Sequence, residues 1–290
     1  MGKSVVLIAG PTASGKSALA VNMAQKSNAL IINADSMQVY STLNVLSARP
    51  QDSEMAQAEH HLFGYVDPAT RFSTGAWSRD VKNLLDSLDL QNQNLIFVGG
   101  TGLYFQALVH GFSEIPPVPP EVVSQIETEV DGLDREQRRA LLMARDPEMA
   151  LRLQEPDQQR LVRALSVLQA TGRSLAHWQD VKQVGLLDGF DISKIVINPE
   201  RNILRDRIAT RFATMLELGA VEEVRQILAL DLDTSLPVMK AIGVREVGDW
   251  LAGKITKERA IELAVIASQR YAKRQRTWFR KQMADWEWRE

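Results

Sequence analysis

Residues 5–17 read VVLIAGPTASGKS, an apolar run broken by glycine and followed at once by Gly10-Pro11-Thr12-Ala13-Ser14-Gly15-Lys16-Ser17. The octapeptide fits G-x-x-x-x-G-K-[ST], and the helical pattern beginning at Lys16 supplies the context a phosphate-binding loop requires. Glycines let backbone N–H groups converge on phosphate oxygens, and the helix N-terminus adds favourable partial charge. Lys16 is suited to neutralise a phosphate and the Ser17 hydroxyl to hold Mg²⁺. A chance strand-turn-helix is the alternative, and the loop alone does not say which phosphate ester it holds.

Working outward, Leu30–Asn33 and Leu95–Val98 are further short β-rich runs, separated by helical patterns at the spacing of βαβ units. Ile195–Ile197, stopped by Asn198-Pro199, reads as one more strand. The expected fold class is α/β, with a P-loop NTPase-like parallel sheet flanked by helices. Pro116-Pro117-Val118-Pro119-Pro120 marks a rigid exit, after which residues 121–183 read almost entirely as helix. That places an all-helical insertion domain over 114–193 and a catalytic core over 1–113 and 194–290. Beyond Arg201 the chain is helical again, ending in a long helix from Lys257 towards Met283.

Composition bounds the function. The 290 residues are 45% hydrophobic and 24% charged, which excludes bulk disorder, and the absence of cysteine excludes a disulfide scaffold, an Fe–S cluster and a thiolate zinc site. The apolar run Val5–Ala9 is too short for a signal or membrane segment. A cytoplasmic protein acting as a monomer, with no membrane partner, is expected. The net charge of −2 hides segregation: Ser268–Met283 holds six basic residues and no acid, leaving 28 basic against 36 acidic residues elsewhere. A basic end on an acidic body points to a polyanionic partner.

Most P-loop ATPases need an acid at the end of a further strand, yet Leu95–Val98 runs into Gly99-Gly100-Thr101-Gly102-Leu103-Tyr104. Asp35 instead follows the second strand, in Asp35-Ser36-Met37-Gln38-Val39-Tyr40, at the sheet edge where open α/β folds bind ligands. A helix N-cap is the alternative role for Asp35. Arg207 and Arg211 share one helix face. His60 and His61 have no third ligand in the sequence pattern and read as structural.

The loop GPTASGKS, DSMQVY, GGTGLY and the terminal YAKRQRTWFR, in this order and spacing, resemble the tRNA dimethylallyltransferases, also called tRNA isopentenyltransferases. HHLFGYVDP at 60–68 and DQQRLVRAL at 157–165 fit as well, so the resemblance spans essentially the whole chain. It implies transfer of a dimethylallyl group from dimethylallyl diphosphate to N6 of the adenosine 3′-adjacent to the anticodon in tRNA, releasing diphosphate with Mg²⁺ present. It also implies that Asp35 is the general base, that Thr101 bonds near the ester oxygen, and that Arg211 closes on the diphosphate opposite the P-loop. Contacts with the tRNA anticodon stem-loop are implied at Asp35, Ser36, Met37, Gln38 and Thr101. Further contacts are implied at Gln159, Arg160, Leu161, Val162 and Arg163 of the insertion, and at Lys240, Ala241, Ile242, Gly243, Val244 and Arg245. The chain departs from the family pattern at Val244, where an aromatic is usual, at Val123, where a basic residue is common, and at Ser268-Gln269-Arg270. The alternatives are a small-molecule P-loop kinase, a prenyltransferase acting on free adenine nucleotides, and a non-enzymatic binding module. A helical insertion and a basic terminal helix favour a large RNA substrate.

Overall fold

The computed structural model describes residues 4–90, 92–181 and 183–290; residues 1–3, 91 and 182 of the expected domains lie outside them. In chain order the elements begin with β1 (Ser4–Ala9), α1 (Lys16–Ser27), β2 (Ala29–Asn33), α2 (Asp52–Met55), β3 (His60–His61), α3 (Thr74–Ser87), β4 (Asn94–Gly99) and α4 (Gly102–His110). Then follow α5 (Pro120–Val130), α6 (Arg135–Arg145), α7 (Pro147–Arg152), α8 (Gln158–Thr171) and α9 (Leu175–Asp180). The chain closes with β5 (Asp191–Ile197), α10 (Arg201–Glu217), α11 (Ala220–Ala229), a 3-10 turn at Pro237–Lys240, α12 (Val244–Leu251), α13 (Lys257–Gln282) and β6 (Glu287–Arg289).

Two compact units result, one formed by the chain up to Val109 with Gly185–Glu290, the other by His110–Val184. The boundary read from sequence at 193/194 falls inside β5, which starts at Asp191. The physical reason is pairing: Asp191, Ile192 and Ser193 extend the ladder against Ser4, Val5 and Val6 although two of them are polar. Strands β3 and β6, which the sequence pattern does not signal, pair in parallel with β2 and β5.

The first unit is built on a parallel sheet of order β3-β2-β4-β1-β5-β6. Strands β1, β2 and β4 are near-continuous apolar runs because helices cover both faces. Helix α1 lays Ala20, Val21 and Ala24 on Ile8, Ile31, Ile96, Val98, Ile195 and Ile197. On α3, Trp77 makes an edge-to-face contact with Phe97 at 6.5 Å and stacks on Tyr104 at 4.1 Å. Parallel strands send every carboxyl end to the same edge, so the loops after β1, β2 and β4 gather there. Antiparallel packing of α10 and α13 follows from their paired residues: Phe212 and Met215 cluster with Ala264, whereas Leu204 and Ile208 cluster with Ala272.

The second unit closes on Ile126, Val130, Leu142, Leu161, Leu165 and Ala176. Its helices α6 to α9 are capped in series by Asp134, Asp146, Asp157 and Ser174, each side chain accepting a backbone N–H of its helix's first turn. Among the described residues no helix is long and apolar enough to cross a membrane.

Candidate active site

The P-loop turns from β1 into α1 with Ala13 at φ 63° and Gly15 at φ 91°, left-handed residues of the kind that turn successive backbone N–H groups towards an anion. Lys16 Nζ donates to the Pro11 carbonyl at 3.3 Å. Burial pushes the Lys16 ammonium down to about 8; Asp35 opposes that shift and Arg211 adds to it. Arg211 on α10 donates to the Thr12 hydroxyl, and burial lowers its pKa while Asp35 again opposes. Arg207, one turn earlier and exposed, approaches the Ser14 carbonyl at 3.5 Å and borders a cleft of about 460 Å³ that also includes Gly15, Leu19 and Pro199.

Asp35 owes its place to Asn33, a residue the sequence reading did not single out. The buried Asn33 side chain accepts from Asp35 N–H at 2.8 Å and donates to the carbonyls of Asp35 and Leu62, both at 3.0 Å. Its own carbonyl accepts from Trp77 Nε1 at 3.0 Å. These bonds lock the turn at the end of β2. Asp35 Oδ1 accepts from Met37 N–H at 3.0 Å, an Asx turn with no helix behind it, so helix capping is not its role. Oδ2 has no hydrogen-bond partner among the described residues. The Asp35 charge also helps raise the Tyr104 and Tyr271 phenols, behind the larger effect of burial.

The third loop, Gly99–Gly102, explains why no acid stands after β4. A Cβ at Gly99 would lie 2.0 Å from the Ala34 carbonyl oxygen, and one at Gly100 would lie 3.0 Å from Asp35 Oδ2. Thr101 Oγ1 accepts from Ser36 N–H at 2.9 Å and donates to Ser36 Oγ at a long 3.2 Å. Gln38 differs from the sequence expectation: its amide nitrogen is consumed by the Ser47 and Ala48 carbonyls at 3.0 and 2.9 Å, because the loop 43–49 folds over it.

The expected RNA-contact segments also sort by burial. Gln159, Arg160 and Arg163 of α8 are exposed, whereas Leu161 and Val162 lie in the core of the second unit. Lys240 and Arg245 are exposed, Ile242 is half-buried, and Ala241, Gly243 and Val244 are buried, Val244 at 1% exposure. A helix turns successive side chains to different faces, so a continuous run cannot present all its side chains to one ligand. Gly243, at φ 104° with Leu46 2.5 Å from where a Cβ would stand, serves the close packing of this segment. His60 bonds the Ala58 carbonyl and His61 the Glu59 carboxylate. Among the described residues no group of three or more His, Asp or Glu is arranged to hold a metal.

The loop, the carboxylate and the glycine turn thus meet at one sheet edge. A family model described as IPP transferase matches residues 38–282. The chain belongs to the IPP transferase family. This family member is 50% identical over 286 residues to a tRNA dimethylallyltransferase of Chelativorans sp., covering 98% of each chain. It is 49% identical to one of Mesorhizobium japonicum, covering 99% of this chain and 88% of that protein. Among solved structures it is similar to a eukaryotic dimethylallyltransferase acting on tRNA, with a TM-score of 0.80 and 27% identity over 96% of this chain and 70% of that one. The full-length tRNA isopentenylpyrophosphate transferase of Bacillus halodurans aligns with a TM-score of 0.69 and 30% identity, covering 99% and 89%.

Proposed function

We propose that this chain is a tRNA dimethylallyltransferase, moving a dimethylallyl group from dimethylallyl diphosphate to N6 of the adenosine 3′-adjacent to the anticodon. The observation that carries the reading is the grouping of Lys16, Arg211, Asp35 and Thr101 at one sheet edge, in a chain half identical along its length to proteins of that name. The P-loop amides, Lys16 and Arg211 bind the diphosphate. As the C1–O bond breaks, its electron pair leaves with the diphosphate, and these fixed cations stabilise the growing negative charge. The adenine amine forms the C1–N6 bond and gives up a proton, which Asp35 Oδ2 accepts as general base. Thr101 turns its hydroxyl from Ser36 to the ester oxygen.

The donor set at the loop suits Mg²⁺: one protein hydroxyl, Ser17, beside a diphosphate and water is how this hard cation is usually held, without an all-protein cage. Bound there, the ion would neutralise diphosphate charge. Reading an anticodon-loop adenine requires its extrusion from the stack and hydrogen bonds to its edge, roles that fall to Ser36, the Met37 segment and the remaining acceptor of Gln38. The exposed Gln159, Arg160, Arg163, Lys240 and Arg245 make the remaining tRNA contacts.

The test is nucleoside mass spectrometry of unmodified tRNA incubated with the protein and dimethylallyl diphosphate. A prenylated adenosine and released diphosphate are expected, with ATP inert as phosphoryl donor. ATP-dependent phosphorylation of a small metabolite, with no prenylated nucleoside, would move the protein to the kinase reading.

A further inference from the structure

Helix α13 carries a polar side chain, Gln275, that points away from its basic surface and is only 6% exposed. Its Oε1 accepts from the P-loop Thr12 N–H at 3.0 Å, and its Nε2 donates to the Gly100 carbonyl at 2.8 Å. A Cβ at Gly100 would stand 2.3 Å from Nε2 and 3.0 Å from Asp35 Oδ2, so carboxamide, glycine turn and carboxylate meet at one point. One turn further on, the Trp278 ring rests on Gly102, with Cζ3 2.1 Å from where a Cβ would be. We propose that Gln275 is a positioning residue for prenyl transfer, setting the separation between the P-loop and the Gly99–Gly102 turn and tying both to helix α13. The inference rests on the function proposed above.

A neutral carboxamide offers a donor and an acceptor at once, and both are needed here because an N–H and a carbonyl face it. The connections continue on either side. Thr12, whose amide is held by Gln275, receives Arg211 on its hydroxyl. Gly100 precedes Thr101, whose amide is fixed on the Ala34 carbonyl at 3.2 Å and whose hydroxyl holds Ser36 N–H. Losing the carboxamide therefore loosens the diphosphate cations and the acceptor side together, although Gln275 touches no reacting atom. Its sequence neighbours Lys273 and Arg274 are exposed, so the same turn of helix faces solvent on one side and the site on the other.

Gln275→Glu and Gln275→Ala in the full-length protein test this. Of the charged groups tied to this point, Asp35 meets the carboxamide across Gly100 and Arg211 is joined to it through Thr12, Lys16 is coupled to both, and Tyr271, Arg274 and Arg276 neighbour Gln275 on α13. An ionised Glu keeps the acceptor for Thr12 but opposes the Gly100 carbonyl and Asp35, whereas a protonated Glu restores donor and acceptor. At pH 8 the Glu variant is expected to transfer at no more than about a tenth of the wild-type rate, its ratio to wild type climbing severalfold towards about pH 6. Gln275→Ala should show a deficit whose ratio to wild type is flat with pH, about tenfold weaker binding of inorganic diphosphate by calorimetry, and tRNA affinity within about twofold. A pH-independent ratio for the Glu variant would overturn the proposal. So would wild-type turnover and diphosphate affinity in the Ala variant, or activity falling only in step with the folded fraction. Failure of the wild type to prenylate tRNA would instead sink the proposed function, while the diphosphate titrations would still report on the link between Gln275 and the loop.

Discussion

Replacing Lys16 by methionine is expected to make the protein more stable while weakening its binding of diphosphate. Burial pushes the ammonium from its ordinary 10.5 to about 8, against the attraction of Asp35 and with the help of Arg211. At about 1.36 kcal/mol per pH unit, keeping that charge in the folded protein at pH 7 costs about 3 kcal/mol. Removing the side-chain bond to the Pro11 carbonyl returns about 1 kcal/mol, and solvent at this partly exposed residue screens some of the rest. The net gain for Lys16→Met is then about 1–2 kcal/mol at pH 7. The sign with pH follows from proton counting. Between about 8 and 10.5 the unfolded chain keeps the Lys16 proton that the folded chain has released, so wild-type stability rises with pH across that window. The advantage of the variant is therefore full at pH 7 and gone near 10.5. Urea denaturation of both proteins at pH 6.5, 8 and 9.5 measures it. A variant no more stable than wild type at pH 7, or a difference flat across the series, refutes the reasoning. Diphosphate affinity should drop about 10- to 100-fold, the worth of one hydrogen bond to a charged group.

Asp35→Asn keeps the shape and the acceptor for Met37 N–H but cannot take a proton, so turnover should fall by roughly 10² to 10⁴ with donor and tRNA affinities changing far less; near-normal single-turnover rates would return Asp35 to holding its turn. In Gly102→Ala the new Cβ would lie 2.1 Å from the Trp278 ring, so about 1–3 kcal/mol of stability should be lost and much of it regained in Gly102→Ala/Trp278→Ala; thermal unfolding of the cycle decides, and a stable single variant would contradict the contact. Neutralising the exposed Lys273 or Arg274 should flatten the slope of log K against log salt for tRNA by about 0.7 to 0.9 per lost phosphate contact, leaving diphosphate affinity untouched; unchanged slopes across single Ala variants of all six basic residues would exclude direct phosphate contacts.

What could be read from sequence was local. The P-loop announces itself because its chemistry, its turn and its helix start are contiguous, and β1, β2 and β4 because they are buried on both faces. Strand β6 gives no such signal: Glu287 and Arg289 flank a half-buried Trp288, and only pairing with β5 makes the segment a strand. Asn33 and Gln275 were hidden for the same reason, since each is defined by partners far away in the chain. Gln275 did carry a faint signal. It falls in register with Ala264, Ser268, Ala272 and Phe279, the buried stripe of α13, so a polar residue there called for an explanation that the surrounding arginines obscured. The runs 159–163 and 240–245 were legible as motifs but not as surfaces, because a motif is contiguous and a helical face is not.

The absence of an acid after β4 follows from the charge the site must handle. Lys16 and Arg211 are both disfavoured as cations by burial, and Asp35 is the carboxylate that supports them. A second carboxylate at the end of β4 would compete for the same two cations and cancel the positive field before any ligand arrived. With Gly99 pressed on Ala34 and Gly100 against Gln275, that position is closed to any side chain. The site sets Lys16 and Arg211 against Asp35, an imbalance that a bound diphosphate would relieve. On the proposed function that relief would grow as the ester bond breaks, because the departing diphosphate carries more negative charge than the ester did. Interactions that strengthen along the reaction in this way raise turnover rather than merely tightening the ground state. By the same logic Asp35 is most useful as base if it sits close enough to steady Lys16 and Arg211 yet keeps Oδ2 free of hydrogen bonds among the described residues, the arrangement that the Asn33 turn and the Met37 amide produce.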